Sequence, residues 1–156
     1  MKFIRDLKKT MIGEFVTTFI STVDESTSLN EIQEMMDIEK IRHIPITSKE
    51  GKALGIISDR DVAVISNLEL AKKYTAGDLM TPNPYCVKSD SPLREVVAEM
   101  ARKKYGSVLV KSEEDKVIGI FTSTDALHAL HDLLGEEILE DSEYYKSFIS
   151  NYGGHS

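Results

Sequence analysis

The chain states its central pattern twice. Gly55-Ile-Ile-Ser58-Asp-Arg60-Asp61-Val returns 64 residues later as Gly119-Ile-Phe-Thr122-Ser-Thr124-Asp125-Ala. Laid over each other without a gap, residues 13–62 and 77–126 share thirteen identities, among them Gly13/Gly77, Thr17/Thr81, Leu29/Leu93, Met36/Met100, Gly55/Gly119 and Asp61/Asp125. A fixed internal period restricts the fold more than composition does, because one supersecondary unit must be used twice. Each copy is near sixty residues, too few to bury much surface alone, so the two are expected to share an interior.

The period divides the chain into a lead-in at 1–12, a first repeat at 13–74, a second at 75–133 and an acidic, aromatic tail at 134–156. Phe3, Ile4, Leu7 and Met11 fall on one face of a short helix in the lead-in. Each repeat then follows one plan. A brief extended segment (Phe19 to Val23; Pro84 to Val87) leads into an amphipathic helix with Leu29, Ile32, Met35 and Met36, or Leu93, Val96, Val97 and Met100, at helical spacing. Ser28 and Glu31 form a capping box in the first copy. In the second, Ser91 is the expected cap, with Pro92 at the first helical position.

Two strands follow in each copy, joined by a polar turn: 43–47 with 53–58, and 107–111 with 117–122. A closing helix is expected over about 59–72 and about 123–134. Thr75 to Pro84, with two prolines, reads as an irregular linker. The order strand, helix, strand, strand, helix, given twice, predicts an α+β fold with two sheets packed on each other and two pseudo-equivalent clefts between the halves.

Charge narrows the function. The net charge of −7 argues against a nucleic-acid surface, which needs a basic patch. Residues 132–156 supply −5 of it, from six acids and one Lys, so an anion pocket in the body is compatible with the total. No apolar run reaches the length of a membrane span, and one cysteine, Cys86, provides no disulfide framework; both point to the cytoplasm. There is no Walker loop, nucleophile elbow or zinc spacing, so no catalytic residue is assigned. His128 and His131, one helical turn apart near Asp125 and Asp132, suit a surface or interface better than a metal.

Ser58-x-x-Asp61 and Thr122-x-x-Asp125 each have two readings. As text they are capping boxes. A helix N-terminus also attracts phosphate, and a nearby Asp accepts hydrogen bonds from ribose hydroxyls, so the same residues describe a nucleoside-phosphate site. Recurrence in register favours the site, although one residue can cap and bind at once.

The repeat plan, the His43-Ile-Pro45-Ile strand and the Gly-led strand ending in Ser/Thr-x-x-Asp resemble a tandem pair of CBS domains, a Bateman module, over about residues 10–132. The resemblance is to stand-alone prokaryotic members. It implies β-α-β-β-α repeats with pseudo-twofold symmetry, adenine nucleotides (AMP, ADP, ATP or a related adenosyl compound) as regulatory ligands, and a flat homodimer formed through the helices that follow each repeat. By position, it makes Ser58, Asp61, Thr122 and Asp125 the phosphate and ribose residues. The adenine pockets it implies are Val16, Ile20, Ser21, Ile41, Arg42 and His43 in repeat 1, and Met80, Pro84, Tyr85, Tyr105, Gly106 and Ser107 in repeat 2.

The copies differ. Arg60 stands where repeat 2 has Thr124, and Arg42 and His43 where it has Gly106 and Ser107. Repeat 1 is therefore better equipped for a charged polyphosphate; the alternative for Arg60 is a surface ion pair with Asp59 or Glu69. The expectation is a non-enzymatic sensor that passes nucleotide occupancy to a regulated partner protein. The rivals are an interaction module with no ligand, and a small enzyme acting on nucleotides around His43 and Asp61.

Overall fold

The computed structural model describes residues 7–65 and 67–138. The tail beyond 138 and the Phe3 and Ile4 positions of the lead-in lie outside the described residues. The elements are α1 (Leu29–Glu39), β1 (His43–Thr47), β2 (Ala53–Ser58), α2 (Asp59–Ala63), α3 (Leu68–Lys73), α4 (Ala76–Leu79), β3 (Thr81–Pro82), β4 (Cys86–Lys88), α5 (Leu93–Lys103), β5 (Ser107–Lys111), β6 (Val117–Thr122) and α6 (Ser123–Ile138). They form two three-stranded sheets, β1-β2-β3 and β4-β5-β6.

The two hairpins are where the sequence puts them, strand for strand. Gly51 and Asp115, both at positive φ, turn each chain back. The registers match across the repeats: His43 opposes Ser58 as Ser107 opposes Thr122, with an irregularity one residue before the end of β1 and of β5. The capping box of Ser28 and Glu31 starts α1 as expected. Helix α5 differs: Pro92 is itself the N-cap, with no side-chain cap, and Leu93 opens the helix.

Strand alternation sorts the interior into layers. Ile44, Ile46 and Ile57 face the helices of repeat 1 in a core with Leu29, Ile32 and Met36. Val108, Val110 and Phe121 do the same in repeat 2 with Leu93, Val96 and Met100. Pro45 and Leu109 point to the other face of each sheet, yet both are fully buried. Period-2 strands with both faces buried are what two sheets packed on each other require.

The linker is not irregular. Thr75 and Asp78 start the short α4, and Thr81–Pro82 adds as β3 to the outer edge of β2. The equivalent segment of repeat 1 does the same to repeat 2: Thr17 bridges Ile120, as Thr81 pairs Ile56. Ile12 is buried in the core of repeat 2 and Ala76 in that of repeat 1. Matching backbone bonds hold them: Ile12 N–H to Ser91 O at 2.9 Å and Ala76 N–H to Thr27 O at 2.8 Å. Each repeat thus begins in its partner's core.

This exchange explains the duplicated glycines. A Cβ on Gly55 would lie 2.4 Å from Met80 Sδ, and one on Gly119 would lie 2.3 Å from Val16 Cγ1. The incoming strap occupies the space a side chain would need.

Three other expectations change. The lead-in is two 3-10 turns, Leu7–Lys9 and Ile12–Glu14, separated by extended Met11. The extended segment of repeat 1 contributes only Val23, bridged in parallel to Ile46, where repeat 2 forms the full strand β4. The closing helix of repeat 1 breaks into α2 and α3, because the Asn67 side chain accepts the Glu69 N–H and caps a new helix.

Candidate functional site

One continuous cleft of about 1240 Å³ lies between the repeats and reaches both hydroxyl-x-x-Asp motifs. The two pseudo-equivalent clefts the sequence suggests both open onto it. Ser58, Arg60, Asp61, Ile41, Arg42, His43, Ile20 and Ser21 line it from repeat 1, and Thr122, Asp125, Pro84, Tyr85, Tyr105, Gly106 and Ser107 from repeat 2. Val16 and Met80 do not. They are equivalent residues of the two straps, and the sheet pleat turns them away from the cleft onto Gly119 and Gly55.

Both motifs do form capping boxes. Asp61 Oδ2 accepts from the Ser58 N–H at 2.7 Å and from Ser58 Oγ at 2.9 Å, while the Asp61 N–H donates to Ser58 Oγ at 3.3 Å. Thr122 and Asp125 repeat the pattern at 2.7, 3.0 and 3.3 Å. A third copy, Thr75 with Asp78, makes the same pair of bonds to its carboxylate at 2.8 and 3.1 Å and lies away from the cleft. The motif alone is therefore a cap. What separates Asp61 and Asp125 from Asp78 is the cavity they face.

The helices behind the two boxes are unequal. Helix α6 runs 16 residues and carries a full end dipole; α2 runs only 5. In repeat 1 formal charge replaces that dipole. Arg42 and Arg60 both line the cleft, and neither has an ion-pair partner among the described residues. The surface pair weighed for Arg60 does not form: Glu69 lies 3.8 Å from Lys72 instead. The loop holding Arg42 is pinned from below, its carbonyl accepting the Asp59 N–H at 2.9 Å, as Gly106 O accepts the Ser123 N–H at 3.0 Å.

His43 stands where the two repeats meet. Its Nε2 lies 3.2 Å from the place a Cβ on Gly106 would take. Burial pushes its pKa below the usual histidine value; Asp59 and Asp61 oppose that, and Arg42 and Arg60 add to it. On the repeat 2 side, Tyr85 and Tyr105 pair with ring centroids 5.5 Å apart. Burial, then Glu99 and Glu95, hold the Tyr85 phenol above its ordinary range.

Sequence reading missed Lys40 and Lys104, which also line the cleft. They are the left-handed C-caps of α1 and α5, at φ 57° and 59°. Their only signal is a position that usually takes Gly, directly after the helical pattern ends.

Burial pushes the Cys86 thiol up, and its S–H donates to Pro84 O at 3.2 Å. Among the described residues no group of three His, Cys, Asp or Glu is placed to hold a metal. His131 Nδ1 lies 3.1 Å from Asp132 Oδ1, while His128 lines the cleft. No described helix is long and apolar enough to cross a membrane.

Comparison with known proteins places the fold. The CBS domain pair of a protein crystallised with 5′-methylthioadenosine and S-adenosyl-L-methionine superposes with a TM-score of 0.69 at 26% identity, over 78% of this chain and 99% of that one. CBSX2 in complex with AMP gives 0.70 at 27% identity, over 79% and 97%. Among curated relatives, inosine-5′-monophosphate dehydrogenase of Escherichia coli is 32% identical over 124 residues, 78% of this chain but 24% of the enzyme. Homoserine O-acetyltransferase of Methanohalobium evestigatum is 27% identical over 119 residues and is likewise matched over only 24% of its length. The chain thus spans about a quarter of these enzymes. The CBS domain family model matches residues 12–66 and again 76–132. With both repeats matched and the fold shared, the chain belongs to the CBS domain family, as a tandem pair.

Proposed function

We propose that this protein is a regulatory sensor that binds adenine nucleotides in the inter-repeat cleft and signals occupancy to a partner protein. The observation that carries the reading is the convergence of Asp61 and Asp125, each in the same hydrogen-bonded box, on a single cavity also lined by Arg42, Arg60 and a tyrosine pair. Related CBS pairs crystallise with AMP, or with two adenosyl compounds, which supports an adenosyl ligand here. Signalling follows if ligand favours one spacing of the repeats and the partner recognises that state. The reading assigns binding and no catalysis. It places the protein in the cytoplasm, as a homodimer.

The test is calorimetric titration with AMP, ADP, ATP, NADH and S-adenosylmethionine of the wild type and of Asp61→Ala, Asp125→Ala and Asp78→Ala. Asp78→Ala removes the same cap outside the cleft and so controls for lost stability. Weakened binding in Asp61→Ala or Asp125→Ala, with Asp78→Ala like wild type, is the expected result. Equal binding in all four proteins, or none in the wild type, rejects the reading.

A further inference from the structure

A second groove, of about 530 Å³, lies between α1 and the segment over residues 22–27, and it shares no lining residue with the cleft between the repeats. Val23, Met35 and Ile38 form its apolar surface. Val23 and Met35 pack into the core of repeat 1, whereas Ile38 is 80% exposed. Asp24, Glu31 and Glu34 also line the groove, and no Lys, Arg or His does. Bonds from Ser26 hold the Asp24 carboxyl below the usual carboxylate range, so its charge persists into acid.

Repeat 2 treats the same helix face differently. Met35 and Ile38 become Glu99 and Arg102, joined as an ion pair at 2.7 Å. Asp24 becomes Lys88, paired with Glu113 at 2.8 Å, and Glu34 becomes Ala98. Both helices run 11 residues, so the fold itself does not demand the change. One copy pairs the charges of this face within the chain; the other presents apolar surface among carboxylates. Helix α5 also carries Arg102 and Lys103 in its last turn, where α1 has no basic residue. The negative end of the α1 dipole therefore adds to the field of the groove.

Charge and shape specify what fits. Carboxylates around an apolar floor repel nucleic acid and anionic lipid and attract a cation with an apolar body. The backbone beside the groove offers no run for an added strand. Val23 is already bonded to β1 through Pro45 O and the Thr47 N–H, and Asp24 enters a turn, its carbonyl accepting the Thr27 N–H at 3.3 Å. Contact must come through side chains, which is how a helix sits in a groove.

We infer that this groove docks a cationic amphipathic helix of a partner protein, its apolar face on Met35 and Ile38 and its Lys or Arg side chains beside Asp24, Glu31 and Glu34. The surface is separate from the nucleotide reading, because groove and cleft have no residue in common.

The experiment titrates the full, nitrogen-15-labelled chain with a helix-forming peptide of Leu and Lys that carries all its Leu on one face, and with its Leu and Glu counterpart. Glu34→Lys and Ile38→Asp change exposed positions in the groove; Gln33→Lys changes charge on the same helix outside it. Circular dichroism checks that each variant stays folded. The Leu and Lys peptide should bind and shift amide signals around Asp24 and Ile38. Its affinity should fall roughly tenfold or more in Glu34→Lys and in Ile38→Asp, and stay near wild type in Gln33→Lys. The Leu and Glu peptide should not bind. Equal binding of both peptides, binding indifferent to the groove substitutions, or no binding at millimolar peptide overturns the inference. So does loss of a dimer in Ile38→Asp by light scattering, which would give the face to a second copy of this chain. None of these results bears on nucleotide binding, which calorimetry on the cleft variants decides separately.

Discussion

The ring of His43 in one repeat and the backbone of Gly106 in the other leave only a tight fit for a methyl group between them: Nε2 lies 3.2 Å from where that Cβ would sit. Gly106→Ala should therefore displace the imidazole by a few tenths of an ångström, and Gly106→Val should push it into the cleft. Both are expected to leave the fold intact and to weaken nucleotide binding, Val more than Ala. Calorimetry against circular dichroism separates the two effects.

Acid should loosen the unliganded protein through His43. Burial depresses its folded pKa below 6.5, so below pH 6.5 the unfolded chain binds more protons than the folded one. Stability is then fully present above pH 6.5, falls as pH drops towards the folded pKa, and levels off beneath it. The slope that His43→Gln removes from a series of urea melts between pH 7.5 and 5 measures this. A bound phosphate reverses the sign locally, since an anion beside the ring favours its protonated form.

The duplicated glycines should be intolerant. Gly119→Ala meets Val16 Cγ1 at 2.3 Å and Thr17 O at 3.0 Å; Gly55→Ala meets Met80 Sδ at 2.4 Å and Thr81 O at 2.9 Å. Overpacking of this kind costs about 1–3 kcal/mol. Because the obstruction is partly side chain, Val16→Ala should recover some of the loss in Gly119→Ala, and Met80→Ala some in Gly55→Ala. A double-mutant cycle by denaturant melting gives the coupling.

Much of this architecture was legible before any coordinates. Alternation and turn chemistry placed both hairpins to the residue, because a one-residue slip would turn Ile44, Ile46 and Ile57 out of their core. The crosswise straps were hidden for the opposite reason. A strand of two residues, Thr81–Pro82, and a single bridge at Thr17 are too short to leave a period, and their partners lie in the other repeat. Val16 and Met80, which the resemblance assigns to the adenine pockets, pack against Gly119 and Gly55. The break between α2 and α3 left only Asn67 as a sign. Repetition singled out Ser58, Asp61, Thr122 and Asp125, which do line the cleft, whereas the lining positions of Lys40 and Lys104 depend on backbone angles that a lysine seldom announces.

Helix α6 should mediate pairing of two copies. It exposes Leu127, Leu130 and Leu134 at helical spacing, with Leu127 67% exposed, and Val64 beyond α2 is 78% exposed. That exposed apolar face leads us to expect a dimer whose Leu130→Glu variant is monomeric by light scattering, with an unchanged circular dichroism spectrum.

The exchanged starts have a consequence for ancestry and for engineering. If a chain carried one repeat only, its opening segment would find no partner in cis, and the edge that needs such a segment would stay bare. Two such chains placed about a twofold axis would satisfy each other completely. The smallest closed set of these contacts is a pair, indifferent to whether a peptide bond joins its members. The present molecule then preserves, within one polypeptide, an embrace that two separate molecules would make, and cutting it between α3 and α4 should yield fragments that reassociate crosswise.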